Sequence, residues 1–237
     1  MSERLRLFPL NTVLFPGATL HLHVFEPRYK QLVAECLDQG EAFGVCLIRE
    51  GSEAGDPEVN PHDVGTAAEI VEVMPLPFGR YYVSTVGKRR FKITGIISRE
   101  PYLLCEVEYL DEPAGDATAL DALVDRVRAS FEEYEHLLVS YVGPAAAVDL
   151  PLDPVEASFV IGSALQIADL VKQRLLETTD VEQRLRIEIE FLRRLLPQLR
   201  ARIERERTQP TPVRREPLGG EARSQQESYY GKFFSLN

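Results

Sequence analysis

Apolar residues recur at one spacing before about residue 115 and at another after it, and this single change of period limits what the chain can fold into. Upstream the runs are short, alternate with period two or are continuously apolar, and are punctuated by Pro and Gly, which is the pattern of strands and turns. Leu5 and Leu7 precede a break at Pro9, and Leu20, Leu22 and Val24 alternate with Thr19, His21 and His23. Further runs cover Phe43 to Ile48, Ala67 to Met74, Tyr81 to Val86, Phe91 to Ile97 and Leu103 to Leu110, so six or seven strands of a sheet or barrel are expected. Gly87-Lys88 suits a two-residue hairpin between two of these runs, because glycine takes the positive φ of a type II′ turn. Pro77-Phe78-Gly79 marks another reversal. One helix interrupts the strands: Pro27 fits a first helical position, Tyr29, Leu32, Val33, Cys36 and Leu37 form a stripe, and Gly40 supplies the stop. Residues 51 to 65 read as an exposed loop rich in Gly and Pro.

Downstream the period is helical. A long helix begins with a Thr118 and Asp121 cap and runs through Val124, Val127, Phe131, Tyr134, Leu138 and Tyr141 to a break at Gly143-Pro144. Asp153-Pro154 starts a second helix that carries Phe159, Ile161, Leu165, Ile167, Leu170 and Val171. Thr179 and Glu182 form a capping box for a third, whose stripe extends from Val181 to Ile203. The expected division is a β-rich part over 1–115, a helical bundle over 116–206, and a disordered tail over 207–237 that ends in aromatic residues.

Several function classes are excluded or left without support. The 237 residues carry 37 Asp and Glu against 27 Lys and Arg, and five Lys and Arg against three Glu in the tail leave -12 on residues 1–206, a charge that repels a phosphate backbone. No run reaches the roughly 18 apolar residues of a membrane span and the first residues lack a signal peptide's apolar region, so a cytoplasmic chain with no membrane contact is expected. Cys36, Cys46 and Cys105 form no C-x-x-C pair and read as buried thiols. His21 and His23 share one side of a strand but have no third metal ligand at a recognisable spacing, so no metal or other cofactor is expected. Neither a phosphate-binding G-x-x-x-x-G-K-[ST] loop nor a G-x-S-x-G nucleophile elbow is present.

Lys88-Arg89-Arg90-Phe91, following Arg80, Tyr81 and Tyr82, is the densest basic cluster. It gives an alternative reading, an RNA-binding module that stacks bases on this hairpin. The competing reading pairs the arginines with carboxylates, and Glu26 is the expected partner of Arg89 or Arg90.

Phe8-Pro9-Leu10, Leu14-Phe15-Pro16-Gly17 and Phe25-Glu26-Pro27-Arg28-Tyr29, then Phe43-Gly44-Val45, Val64-Gly65-Thr66-Ala67-Ala68 and Gly87-Lys88-Arg89-Arg90-Phe91 occur in an order that resembles the N-terminal, substrate-binding domain of the Lon protease family. Tyr102 to Glu108 and the segment from Gln173 to Leu185 continue the likeness, which covers about residues 4–200. The resemblance implies an α+β fold: a PUA-like β pseudobarrel with one inserted helix, followed by a helical bundle. It also implies recognition of polypeptide substrates. Lon proteases of this peptidase family (S16) carry an ATPase and a serine-lysine protease module after this region. Neither is found within these 237 residues, so a stand-alone, non-catalytic module is expected.

The expected function is recognition of unfolded or exposed apolar polypeptide segments, or of a dedicated protein partner, through apolar surface between barrel and bundle and an uncovered strand edge. Phe78 replaces the acidic residue usual at the family's turn and, with Arg80 and Tyr82, is the candidate polypeptide contact. The motif residues Phe25, Glu26, Pro27, Arg28, Tyr29, Gly87, Arg89, Arg90 and Phe91 are expected to be structural.

Overall fold

The computed structural model describes residues 3–53, 55–56, 58–112, 117–142 and 149–208. The side chains of the Thr118 and Asp121 cap and of Tyr141, the Gly143-Pro144 break, and the tail from 209 lie outside the described residues. In chain order the elements are β1 (Glu3–Leu10), β2 (Thr19–Val24), α1 (Pro27–Gln39), β3 (Phe43–Glu50), β4 (Asn60–Pro61), β5 (Val64–Leu76), β6 (Arg80–Ser98), β7 (Leu103–Tyr109), α2 (Ala117–Val142), α3 (Pro154–Ala164), α4 (Asp169–Glu177) and α5 (Val181–Thr208).

The strands follow the order β1-β7-β6-β5-β3-β4, and parallel pairing of β1 with β3 closes five of them into a barrel. The break expected at Pro9 does not occur: Pro9 stays in β1, opposite Cys46. The barrel holds two apolar clusters. One lies under α1 and joins Tyr29, Leu32, Val33 and Cys36 to Leu22, Val24, Phe43 and Val83; the other gathers Leu5, Leu7, Phe91, Leu103, Cys105 and Val107. Helix α1 forms as its sequence requires. Pro27 occupies the first turn, the apolar stripe faces inward, and Gly40 at φ 64° ends the helix with its N–H on the last carbonyls.

Gly87 does not make a turn. The two runs expected to flank a hairpin are one 19-residue strand, β6, and the glycine lies mid-strand. Its absent side chain admits another piece of backbone: the Gly87 N–H donates to Ala18 O and its carbonyl accepts from Gly17 N–H, both at 2.9 Å, and a Cβ here would collide with the Phe15 carbonyl. The segment Leu14 to Gly17 thereby crosses the strand, and the Thr66 hydroxyl donates to Leu14 O at 2.6 Å to hold it there. Gly44 and Gly65 leave similar room for Phe91, whose Cζ would lie 2.6 and 2.8 Å from Cβ atoms added at those two positions.

Among the described residues the bundle has four helices where three are expected. Asp153 caps α3 by accepting from the Val155 and Glu156 N–H groups at 3.0 and 2.9 Å. The chain leaves helix at Leu165 and re-enters it at Asp169, so the apolar residues assigned to one helix belong to α3, the connection and α4. Ala168 begins α4 without a side-chain cap, which is why no capping residue announces the restart. The cap of α5 is Asp180, accepting from the Glu182 and Gln183 N–H groups, and not Thr179. Phe131, Ile161, Leu165, Leu185 and Leu192 fill the bundle core.

Replacing Gly87 by Ala tests the crossing. The forced separation of the Leu14–Gly17 segment from β6 is expected to lower unfolding stability by about 1 to 3 kcal/mol in urea titrations, the range of overpacking substitutions. An unchanged midpoint would show that the crossing yields without cost.

Candidate functional site

The motif residues divide into a buried joint, a local brace and an outward face. At the joint Arg90, fully buried on β6, donates through Nη1 to the carbonyls of Leu176 (2.5 Å) and Thr178 (3.1 Å) and through Nε to Glu112 at 2.5 Å. Those carbonyls end α4, where a cation also meets the negative end of the helix dipole. Arg184 of α5, equally buried, donates to Thr178 O and to the Ser158 hydroxyl, both at 2.6 Å. Phe159 packs with the two guanidiniums 5.3 and 4.2 Å from its ring. Phe15, Val64, Leu175 and Leu176 close the apolar part of the same junction. Phe15, Phe159, Leu175 and Leu176, the apolar side chains between barrel and bundle, are thereby buried against one another.

Glu188 lies beside this cluster, buried, with neither carboxylate oxygen hydrogen-bonded. Burial pushes its carboxyl well above the ordinary range, against the opposing pull of the Arg184 charge. Burial and the neighbouring Arg90 lower the Arg184 guanidinium to about 10, which leaves it charged at neutral pH.

Glu26 belongs to the brace. It pairs with Arg28 at 3.0 Å and accepts from the Gly55 N–H, so the expected partnership with Arg89 or Arg90 is not formed. Arg28 spans Glu26 and the carbonyls of Glu53 and Asp56 and lies 4.5 Å over the Tyr29 ring, which stacks on Phe8 at 3.8 Å. The basic cluster is likewise broken up: Lys88 pairs with Glu69 at 3.2 Å, Arg89 lies 4.5 Å over Tyr109, and Arg90 is inside. Of the three adjacent cations only Lys88 and Arg89 are exposed, and no hairpin turn is formed at Gly87. Phe91 is buried, whereas Phe25 is 51% exposed.

The outward face is built by register. On β6, Tyr82 stands opposite His23 of β2 on one side and Met74 of β5 on the other, and the next row places Ser84 between His21 and Glu72. Period-two alternation sends Leu22, Val24 and Val83 into the core and leaves His21, His23, Tyr82 and Met74 outside. The His21 ring stacks on Tyr82 at 5.6 Å with its Nδ1 3.2 Å from the Ser84 hydroxyl, and the His23 ring lies 5.8 Å from that of Phe25. Among the described residues no group of three or more His, Cys, Asp or Glu is placed to hold a metal ion. At the tip Phe78 has φ 64°, uncommon for a residue with a side chain, and is 92% exposed. Arg80 donates to Pro77 O at 3.0 Å and lies 5.7 Å from the Phe78 ring. The structure thus places Arg80 and Tyr82 on one face with Phe78 at its end. His21, His23, Phe25 and Met74 were absent from the sequence-based candidate set, although the alternation Thr19 to Val24 already put both histidines outside.

A family model described as the ATP-dependent protease La (LON) substrate-binding domain matches residues 4–194. The chain belongs to this family. It is 27% identical over 195 residues to Lon protease of Anaeromyxobacter dehalogenans, covering 80% of this chain and 23% of that protein, and 28% identical over 209 residues to Lon protease 2 of Sorangium cellulosum, covering 86% and 26%. The chain therefore spans about a quarter of the length of these relatives. A crystal structure of a Lon N-terminal domain protein from Xanthomonas campestris superimposes with a TM-score of 0.58 at 26% identity, over 78% of this chain and 95% of that one. The N-terminal domain of a Mycobacterium avium complex Lon protease shares the fold, with a TM-score of 0.60 at 20% identity over 80% and 98% of the two chains. Within the family the α+β architecture read from the period change stands as observed. Among the described residues no helix is long and apolar enough to cross a membrane.

Glu188 makes the joint sensitive to pH. Below the ordinary carboxyl value, about 4.3, folded and unfolded chains both hold this proton; above it only the folded chain does, so this group's contribution to stability falls as pH rises. Glu188→Gln is expected to melt above the parent near pH 8 and together with it near pH 4.5. Equal melting temperatures at both values would show that Glu188 is ionised in the fold.

Proposed function

We propose that this chain is a non-enzymatic, cytoplasmic module that holds exposed apolar segments of polypeptides on the outward face of β2, β6 and β5. The observation that carries the reading is the row His23, Tyr82 and Met74, bordered by Phe25 and by Phe78 at the tip, on strands whose core-facing residues are fully engaged. Exposed apolar side chains gathered on one supported surface mark interaction sites, whereas scattered ones do not. Tyr82 and Phe25 offer large contact area with few rotatable bonds, a common property of residues that dominate binding. Strand β2 pairs with β6 on one side and, among the described residues, with no strand on the other, so an extended segment has backbone groups as well as side chains to meet. Membership of a substrate-binding family supports the same class of ligand. Three free, buried cysteines accord with a reducing compartment.

Fluorescence anisotropy of a labelled, reduced and carboxymethylated protein, compared with the same protein in its folded form, tests this reading. The unfolded form is expected to bind preferentially, with little loss between low and moderate salt, since apolar contact releases no counterions. Tyr82→Ala and Phe78→Ala are each expected to weaken binding about tenfold, or 1.4 kcal/mol, without changing the melting temperature. Equal binding by the variants would exclude this face, and no binding by either form would direct the search to one dedicated protein partner.

A further inference from the structure

Strands β2, β6 and the outer part of β5 form a three-stranded sheet with two open edges. β5 pairs with β3 only through Thr66 to Ala68, so from Glu69 onward it meets β6 on one side and, among the described residues, no strand on the other, as β2 does. The two edges differ. On β5 the pairing with β6 shifts register between Ile70 and Glu72, Glu69 and Glu72 place charge along the strand, and Pro75 has no N–H to offer. On β2 the pairing runs from Thr19 to Val24 without a shift, and those six residues include no proline, carboxylate, Lys or Arg. Bulges, charge and proline are the means by which proteins close an edge to further pairing. The β5 edge has all three, and the β2 edge has none.

The alternation of hydrogen bonds identifies the groups on that edge. Gly87 N–H donates to Ala18 O at 2.9 Å, which makes these two residues a hydrogen-bonded pair. Such pairs recur at every second residue of an antiparallel ladder, so Leu20, Leu22 and Val24 turn their backbone groups to β6. Thr19, His21 and His23 turn N–H and C=O to the open edge, and all three residues are exposed. At the end of the edge lies a slot of about 100 Å³. The buried, stacked rings of Phe8 and Tyr29 form its floor, His23 and Phe25 its sides, and Glu26 and Glu53 its rim. Both carboxylates are engaged, Glu26 by Arg28 at 3.0 Å and Glu53 by the Asn11 N–H at 3.1 Å, so what the slot leaves free is aromatic surface. An apolar cavity of about 150 Å³ accommodates benzene, so this smaller slot suits an aliphatic side chain and not a ring.

We infer that an extended polypeptide segment adds to β2 as a further strand, paired with the backbone of Thr19, His21 and His23, and seats one aliphatic side chain in the slot between Phe25 and the Phe8 and Tyr29 rings. The inference rests on the reading of the outward face given above and specifies how the segment is held. Backbone pairing gives affinity without regard to sequence, and the slot gives a choice of side chain. His21, which stacks on Tyr82, lies on this strand, so alternate side chains of the added segment continue the outward face.

The test uses the full 237-residue chain and the labelled peptide Lys-Thr-Leu-Thr-Leu-Thr-Lys. At a peptide concentration about ten times Kd, amide hydrogen exchange at Thr19, His21 and His23 is expected to slow about tenfold, with Leu20 and Leu22 unaffected. In anisotropy titrations, N-methylation of the three central peptide amides, replacement of both leucines by alanine, and replacement of both by phenylalanine are each expected to weaken binding about tenfold. His21→Pro removes an edge N–H and no bond to β6, so it is expected to weaken binding by a similar factor at an unchanged melting temperature. Should that variant melt lower, the exchange measurement on the parent chain decides. Peptide binding that leaves the three amides unprotected would overturn strand addition while the outward face stands, and no peptide binding would overturn it as well. A dimer of the free chain in sedimentation that His21→Pro abolishes would also overturn it, by giving the edge to a second copy. No preference for the unfolded protein in the titration described above would remove both readings together.

Discussion

Arg90 starts in the barrel and makes its hydrogen bonds in the bundle. A fully buried guanidinium is costly to desolvate, and acceptors around Arg90 offset that cost for Nε and Nη1, with Nη2 left without a partner among the described residues. Here it finds the two carbonyls that close α4 and the carboxylate of Glu112, on the chain that leaves β7 for the bundle. Arg184 approaches the same Thr178 carbonyl from α5, and Phe159 shields both charges. Three segments distant in sequence are thus fixed by one polar cluster, and the apolar junction of Phe15, Val64, Leu175 and Leu176 closes around it. Directional hydrogen bonds set the angle between barrel and bundle, which apolar contact alone would leave free to slide.

The same joint requires the crossing at Gly87. Phe15 reaches the junction only because the segment Leu14 to Gly17 runs across β6, and that passage needs a position with no side chain. Gly87, Arg90 and Phe91, three positions of one run, therefore serve three directions: backbone above the strand, carbonyls of the bundle, and the barrel interior. Gly87, Arg90 and Phe91 tolerate little change for reasons of packing, while Lys88 and Arg89 between them are exposed.

The period change near residue 115 was legible because burial on one side of a strand and on one stripe of a helix leaves different spacings, and β1, α1, α2 and the start of α3 follow from it. The errors share a cause. Glycine's access to positive φ suggests a turn at Gly87, whereas its use here is close approach, which only the distant Phe15 reveals. The count of charges suggests an arginine across the fold as the partner of Glu26, but Arg28, two residues away, takes it. The break between α3 and α4 has no cap or proline to mark it, and tertiary packing alone decides it. Of the candidate contacts, Phe78, Arg80 and Tyr82 could be found from the reversal at Pro77. Met74 and His23 join Tyr82 only through the register of β5, β6 and β2, and no spacing along one strand encodes that register.

A few charged groups lie inside this otherwise apolar core and a few large apolar ones lie outside, and the division bears on how the outward face stays available. Two arginines and Glu188 are buried at the joint, while Phe78, Phe25, Met74 and Tyr82 are exposed. An exposed apolar surface invites self-association unless something opposes it. Two features do. The net charge of -10 repels other copies at distance, and β6, which carries Tyr82, is paired on both edges by β2 and β5, so its backbone is not a template for sheet growth. Only side chains are presented across the centre of the face, while at its border the edge of β2 away from β6 pairs with no strand among the described residues. In the proposed reading this surface captures exposed segments reversibly, on strands that the Arg90 joint and the Leu14–Gly17 crossing tie to the bundle.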